Sequence, residues 1–243
     1  GMTVTEMLPA AHDGRIRALY VMGEDPLMSD PDLTHARASL EHLDFLVVQD
    51  IFPTATSQIA DVVLPAPSFA EKDGTFTNTE RRVQRVRPAV PPPGEARQEW
   101  QVFSDLATRM GYPMHYDSPA QIMEEIATVA PSYGGIRHER LEKGGLQWPC
   151  PNLEHPGTPI LHVGKFSRGQ GRFMVVQHIP PDELPDAEYP LVLTTGRVLF
   201  HYHGGEMSRR SAGLHAHYPE ALVEIHPEDA QRLSVVDGQP VRV

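Results

Sequence analysis

Three short apolar runs govern what this chain can fold into: Ala18–Met22, Phe45–Val48 and Val62–Pro65, all within fewer than fifty residues. Runs of this length, apolar throughout and bounded by turn or polar residues, read as strands covered on both faces. Gly23 closes the first and Gln49-Asp50 the second. Between them Leu33, Ala36, Leu40 and Leu43 recur at helical spacing, and such a stripe predicts a helix lying on a core. Asp30 stands as its N-cap, with Pro31 at the first helical position. TATSQIA, residues 54–60, reads as a further short helix. Strand and helix alternating at this pitch predict the α/β class: an open, doubly wound, mostly parallel sheet with right-handed crossovers.

In such sheets ligands bind beyond the carboxyl ends of the strands. Polar residues stand at those ends: Gly23-Glu24-Asp25, Gln49-Asp50, and the loop that leads to Glu71-Lys72. Asp50 has two readings. Its carboxylate can accept both N–H bonds from the Watson–Crick edge of guanine, or it caps the TATSQIA segment that follows. Lys72 is either a counter-charge for phosphate or a solvated surface cation.

The rest of the chain is punctuated by proline. GTFTNTERRVQRVRPAV, residues 74–90, reads as a hairpin ended by Pro91-Pro92-Pro93-Gly94, and its basic run RRVQRVR as a solvated face. Helices are expected from Trp100 to Met110, and from Ser118-Pro119 onward with Ile122, Ile126 and Val129 on one side. Residues 131–185 read as irregular. Beyond them Leu191–Leu193, Leu222–Ile225 and Val241–Val243 read as strands, with a short helix from Pro227. The expected organisation is therefore an α/β region over 1–185 and a β-rich one over 186–243.

Within the second region, TTGRVLFHYHGGEMSRR (194–210) sets three arginines and two histidines against one glutamate, in a chain of net charge −11. Glycines let backbone N–H groups approach a ligand, and an arginine fork suits phosphate. The stretch reads as an anion cradle. His201/His203 and His215/His217 also share the spacing of a metal pair, but no carboxylate or cysteine completes a known zinc pattern. The acidic balance argues against nucleic acid or a membrane surface as partner. No apolar run reaches the length of a membrane span, and the first residues are too polar for a secretory signal. Cys150 is the one cysteine, which excludes a disulfide framework or a multi-cysteine cluster within this chain and fits a cytoplasmic setting. There is no G-x-G-x-x-G after a strand, no Walker A loop and no G-x-S-x-G elbow.

ALYVMGEDPLMSDPD (18–32), DFLVVQDIFPTATSQIADVVLPAPSFAEKDGTFTNTERRVQRVRPAV (44–90) and LTTGRVLFHYHGGEMSRR (193–210) together resemble the molybdopterin oxidoreductase family. GLQWPCPNLEHPGTPIL (145–161) is similar to formate dehydrogenase alpha subunits in particular. The resemblance implies a bis(molybdopterin guanine dinucleotide) cofactor carrying molybdenum or tungsten. It places Gln49 and Asp50 at the guanine, Lys72 at the cofactor, and Asp25 where a G-E-N-P motif has asparagine. It makes Thr195, Gly196, Arg197, Val198, Leu199, Phe200, His201, Tyr202, His203 and Gly204 the loop around the pterin and pyrophosphate. Gly204 and Glu206 stand where threonines are common, and Gln98 where relatives carry aspartate. Residues 186–243 would be a truncated barrel of double-psi type. No catalytic residue or metal ligand is expected in this chain. The parent subunit would oxidise formate to carbon dioxide, with a 4Fe-4S cluster held by an N-terminal part outside this sequence and with NAD-linked electron-transfer subunits as partners. Rival readings are another family member such as a nitrate reductase, or a non-catalytic molybdopterin-binding module.

Overall fold

A computed structural model describes residues 1–242, in two units, Gly1–Pro180 and Pro181 onward. The first unit opens with helix α1 (Val4–His12), strand β1 (Ala18–Met22), and helices α2 (Pro26–Ser29) and α3 (Leu33–Glu41). Strands β2 (Phe45–Asp50) and β3 (Val62–Pro65) follow. β1, β2 and β3 form one sheet in that order, parallel throughout, with Leu19 beside Leu46 and Val48 beside Val63. The expected parallel α/β sheet is thus present.

The two faces of the central strand β2 differ by residue parity. Leu46 and Val48 point into a core with Leu8 of α1, Leu27 of α2, and Ala36 and Leu40 of α3. Each such side chain contributes about 1.5–3 kcal/mol by leaving water. The opposite face meets helix α4 (Glu99–Arg109): Phe103 lies 5.3 Å from the Tyr20 ring, and the Gln49 amide donates to the carbonyl of Arg97 just before the helix. Helices therefore cover both faces, and the strand ends are left at the rim.

A second, antiparallel sheet combines β4 (Gly74–Thr77), β5 (Arg82–Val86) and β6 (Leu146–Gln147). The hairpin was legible; β6 lies inside the stretch expected to be irregular. Helix α5 (Pro119–Val129) starts after Ser118 as anticipated, and its Met123 packs with Val83, Ile136, Leu141 and Cys150.

Several local expectations are corrected. Helix α3 is capped by Asp32, whose Oδ1 accepts from His35 N, because Asp30 is engaged in an Asx turn to Asp32 N. TATSQIA supplies one 3-10 turn, Ser57–Ile59, since Thr54 and Ser57 exchange side-chain and backbone bonds that close it early. Leu191–Leu193 and Leu222–Ile225 form no strand. A strand is held by a neighbour's ladder bonds, and the described residues offer these runs none; Val192 and Leu222 remain 75% and 68% exposed. Val241 and Arg242 are likewise outside any strand, and Val243 lies outside the described residues. The second unit instead carries helices α6 (Ala212–His217) and α7 (Pro227–Arg232).

Candidate functional site at the strand ends

The carboxyl ends of β1, β2 and β3 are stitched together by backbone: Gly23 N donates to Gln49 O, and Ala66 N, just past β3, to Asp50 O. Gly23 adopts φ 63°, which lets the chain turn sharply off the strand. Asp25 then reaches across. Its Oδ1 accepts from the backbone N and the hydroxyl of Thr56 at 3.0 and 2.6 Å, and its Oδ2 from Ala55 N at 3.1 Å. Thr56 Oγ1 in turn accepts from Leu27 N. This buried carboxylate clasps the loops after β1 and β2 and so shapes the rim.

Gln49 is fully buried and lies under α4. Its Oε1 accepts from Tyr20 OH at 2.6 Å. Burial and the nearby charge of Glu99 raise the Tyr20 pKa, so this hydroxyl stays a donor. Gln49 thus braces the rim from below.

Asp50 stands half-buried at the end of β2. Its Oδ1 accepts from Phe52 N at 2.9 Å, an Asx turn that starts the loop, one step short of the cap on TATSQIA. Its Oδ2 accepts no hydrogen bond from the described residues. Each carboxylate oxygen has two lone-pair sites, so Asp50 retains acceptor capacity at the rim where α/β sheets take ligands.

Lys72 follows the 3-10 turn Phe69–Glu71, and its Nζ lies 2.6 Å from Glu99 Oε1, with both side chains about three-quarters buried. The pair borders a cleft of about 280 Å³ lined also by Gly74, Phe76, Gln98, Trp100 and Pro119. The Trp100 indole donates to Gln98 Oε1 at 2.9 Å. Sequence reasoning missed Glu99 and Tyr20. The available signal for Glu99 was an acidic residue in the first turn of a helix.

The remaining predicted residues lie in the second unit. Thr195, Gly196, Arg197 and Leu199 are exposed, and Val198 is half-buried. Phe200 stacks on His217 with ring centroids 4.9 Å apart. His201 is buried; its Nδ1 lies 3.1 Å from Ser208 Oγ and its Nε2 2.7 Å from the carbonyl of Tyr218. Both ring nitrogens are thus engaged in closing the loop. Tyr202 and His203 meet edge to face, and His203 takes φ 52° just before Gly204 and the buried Gly205. Among the described residues no group of three or more His, Cys, Asp or Glu side chains is placed to hold a metal ion.

Residues 1–109 match the sequence model of the molybdopterin oxidoreductases, and residues 191–243 that of the Molydopterin dinucleotide binding domain. This chain belongs to the molybdopterin oxidoreductase family. As a molybdopterin oxidoreductase it has curated relatives among the F420-dependent formate dehydrogenase alpha subunits. It is 47% identical over its whole length to subunit alpha of enzyme 1 of Methanococcus maripaludis, covering 36% of that protein. It is 49% identical to the Methanocaldococcus jannaschii subunit, covering 37% of it. A putative formate dehydrogenase of Bacillus subtilis is 40% identical, with 25% of its length covered. The chain therefore spans about a third or less of the length of these relatives. Among solved structures, acetylene hydratase from Pelobacter acetylenicus shares the fold at TM-score 0.66 and 20% identity, across 97% of this chain and 35% of that one.

Proposed function

We propose that this chain is part of a molybdenum- or tungsten-dependent formate dehydrogenase alpha subunit and that its strand-end rim holds the molybdopterin guanine dinucleotide cofactor. Identity of 47–49% to formate dehydrogenase alpha subunits across the whole chain carries this reading. The donor set fits the group. Asp50 keeps carboxylate acceptor capacity at the rim, suited to the paired N–H donors of guanine. Lys72 is a cation beside a cleft, suited to phosphate. Asp25 and Gln49 act by fixing the backbone from which Asp50 projects. In the second unit Thr195, Gly196 and Arg197 offer exposed donors, while His201, through Ser208 and Tyr218, keeps the Phe200–Gly204 stretch folded. In this reading residues 1–185 supply the α/β portion, and 186–243 belong to the dinucleotide-binding domain, of double-psi barrel type in the assembled subunit.

When bound, the cofactor's metal supplies the two-electron chemistry that takes formate to carbon dioxide and a proton. The chain's own residues bind and orient the dinucleotide and exclude water around it. In the assembled enzyme a 4Fe-4S cluster held elsewhere in the subunit would carry electrons onward, with NAD-linked partner subunits in the cytoplasm as acceptors. No described helix is long and apolar enough to cross a membrane. The test is a viologen-linked assay of the assembled, cofactor-loaded subunit and of this chain alone. The assembled subunit should reduce the dye with formate and be inert toward nitrate, and the chain alone should not turn over. Nitrate reduction without formate oxidation overturns the substrate assignment, and turnover by the isolated chain overturns the division of labour. Offering NAD and F420 side by side to the assembled complex decides the acceptor.

A further inference from the structure

Three imidazoles crowd one another where helices α1 and α3 pack together. Leu8, one helical turn before His12, shares a core with Ala36 and Leu40 of α3. Residues four apart lie on one helix face, so His12 is carried toward α3 as well. His35 lies in α3 and His42 is its C-cap, seven residues on and so two turns along one face. The His12 ring centroid lies 5.2 Å from that of His35 and 6.4 Å from that of His42. A Cβ on Gly14, in the turn that ends α1, would stand 3.8 Å from His42 Nε2, so that nitrogen faces α1. His35 is fixed through its backbone: its N donates to Asp32 Oδ1 and its carbonyl accepts from Ser39 Oγ. No ring nitrogen of the three makes a hydrogen bond to the described residues, in contrast to His201, both of whose ring nitrogens are engaged.

Imidazole is a preferred donor to zinc, nickel and copper ions. At a metal–nitrogen distance of about 2.0–2.1 Å, two imidazoles on one tetrahedral ion have centroids roughly 5 Å apart, a spacing the His12–His35 pair already meets. The three rings do not share one point as they stand. His12 and His42 are exposed, and exposed side chains change rotamer within nanoseconds, so a turn of the His42 side chain closes the set. Two fields favour a cation here: the carbonyl end of the α1 dipole, and the net charge of −11 on the chain. We infer that His12, His35 and His42 form a surface site for a divalent first-row ion of the zinc class, with water completing the coordination, and that the bound ion ties α1 to α3. The inference does not depend on the cofactor reading of the strand-end rim.

The experiment titrates the histidine-labelled chain with zinc sulfate. Binding is read from the imidazole nitrogen resonances and, separately, from the urea midpoint. The His12, His35 and His42 signals should move along one shared binding curve, and zinc should raise the midpoint. His35→Gln should weaken the binding read at His12 by at least about tenfold, since even a group that only supports a metal ligand is worth that much. His12→Gln should abolish the zinc-dependent rise and leave the zinc-free midpoint where it was; if it lowers that midpoint, His42→Gln carries the same reading. Zinc that moves only the His201, His203, His215 or His217 signals overturns the site. So do three rings that respond with different affinities, or binding at His12 that is unchanged in His35→Gln. A shared curve with no rise in the midpoint overturns the tie between the helices.

Discussion

Asp25 shows how one carboxylate can be read as a ligand and yet act as a clasp. Its two oxygens take three donors, from Thr56 N, Thr56 Oγ1 and Ala55 N. An asparagine, the residue expected here from the family motif, has only one acceptor oxygen, and its amide would face an N–H. Asp25→Asn should therefore destabilise the first unit by about 1–3 kcal/mol, the cost of an unsatisfied buried donor, read as a fall in the urea midpoint with unchanged slope. Gln49 has a similar history. A polar residue at a strand end invites assignment to a ligand, but its alternation with Asp50 turns it toward Tyr20 and α4. The sequence makes the position of these residues legible and hides their direction, because which face is covered depends on a helix fifty residues further on. Asp50 is where both readings meet: it makes the turn and keeps an oxygen.

At the scale of elements, the parallel sheet was legible because each strand is a self-contained apolar run and its crossover helix has a matching stripe. Helix α1 was hidden in a stretch read only for its polarity, although Thr3 and Glu6 form the S/T-x-x-E signature and Glu6 accepts from Thr3 N at 2.7 Å. Strand β6 and the missing strands of the second unit share one cause. Pairing is non-local, so a short run becomes a strand only where a neighbour presents its ladder. The antiparallel sheet has its own titratable element. His138, on the 3-10 turn His138–Leu141, is buried against β5, where burial first and the Arg85 charge second lower its pKa, against the opposing pull of Asp73, Glu139 and Glu142. In the unfolded chain a histidine titrates near about 6.5. Above that pH both states are neutral and the contribution is fully present. As pH falls through about 6.5 the unfolded chain takes the proton first, so stability drops until the folded pKa is passed. Urea midpoints measured from pH 7.5 down to 5 should fall, and His138→Gln should flatten that slope. An unchanged slope in the variant contradicts the assignment.

For the whole molecule, the residues proposed to meet the cofactor fall on a rim of the first unit and a loop of the second, in a chain that spans about a third of the length of its F420-dependent formate dehydrogenase relatives. The rim is built by local geometry: parallel strands ending together, Gly23 turning the chain, Asp25 and Gln49 bracing from either side. The central claim is that Asp50 reads guanine from that rim. Guanine presents two donors on its Watson–Crick edge, whereas adenine presents a donor and an acceptor that a carboxylate repels. The most direct measurement is a comparative titration of the chain with guanosine diphosphate and adenosine diphosphate, followed at the backbone amides of Asp50 and Phe52. The account predicts that guanosine diphosphate moves those amides and binds at least about tenfold more tightly, and that Asp50→Asn removes the preference. Equal affinity for the two nucleotides in the native chain, or a preference that survives Asp50→Asn, would contradict it.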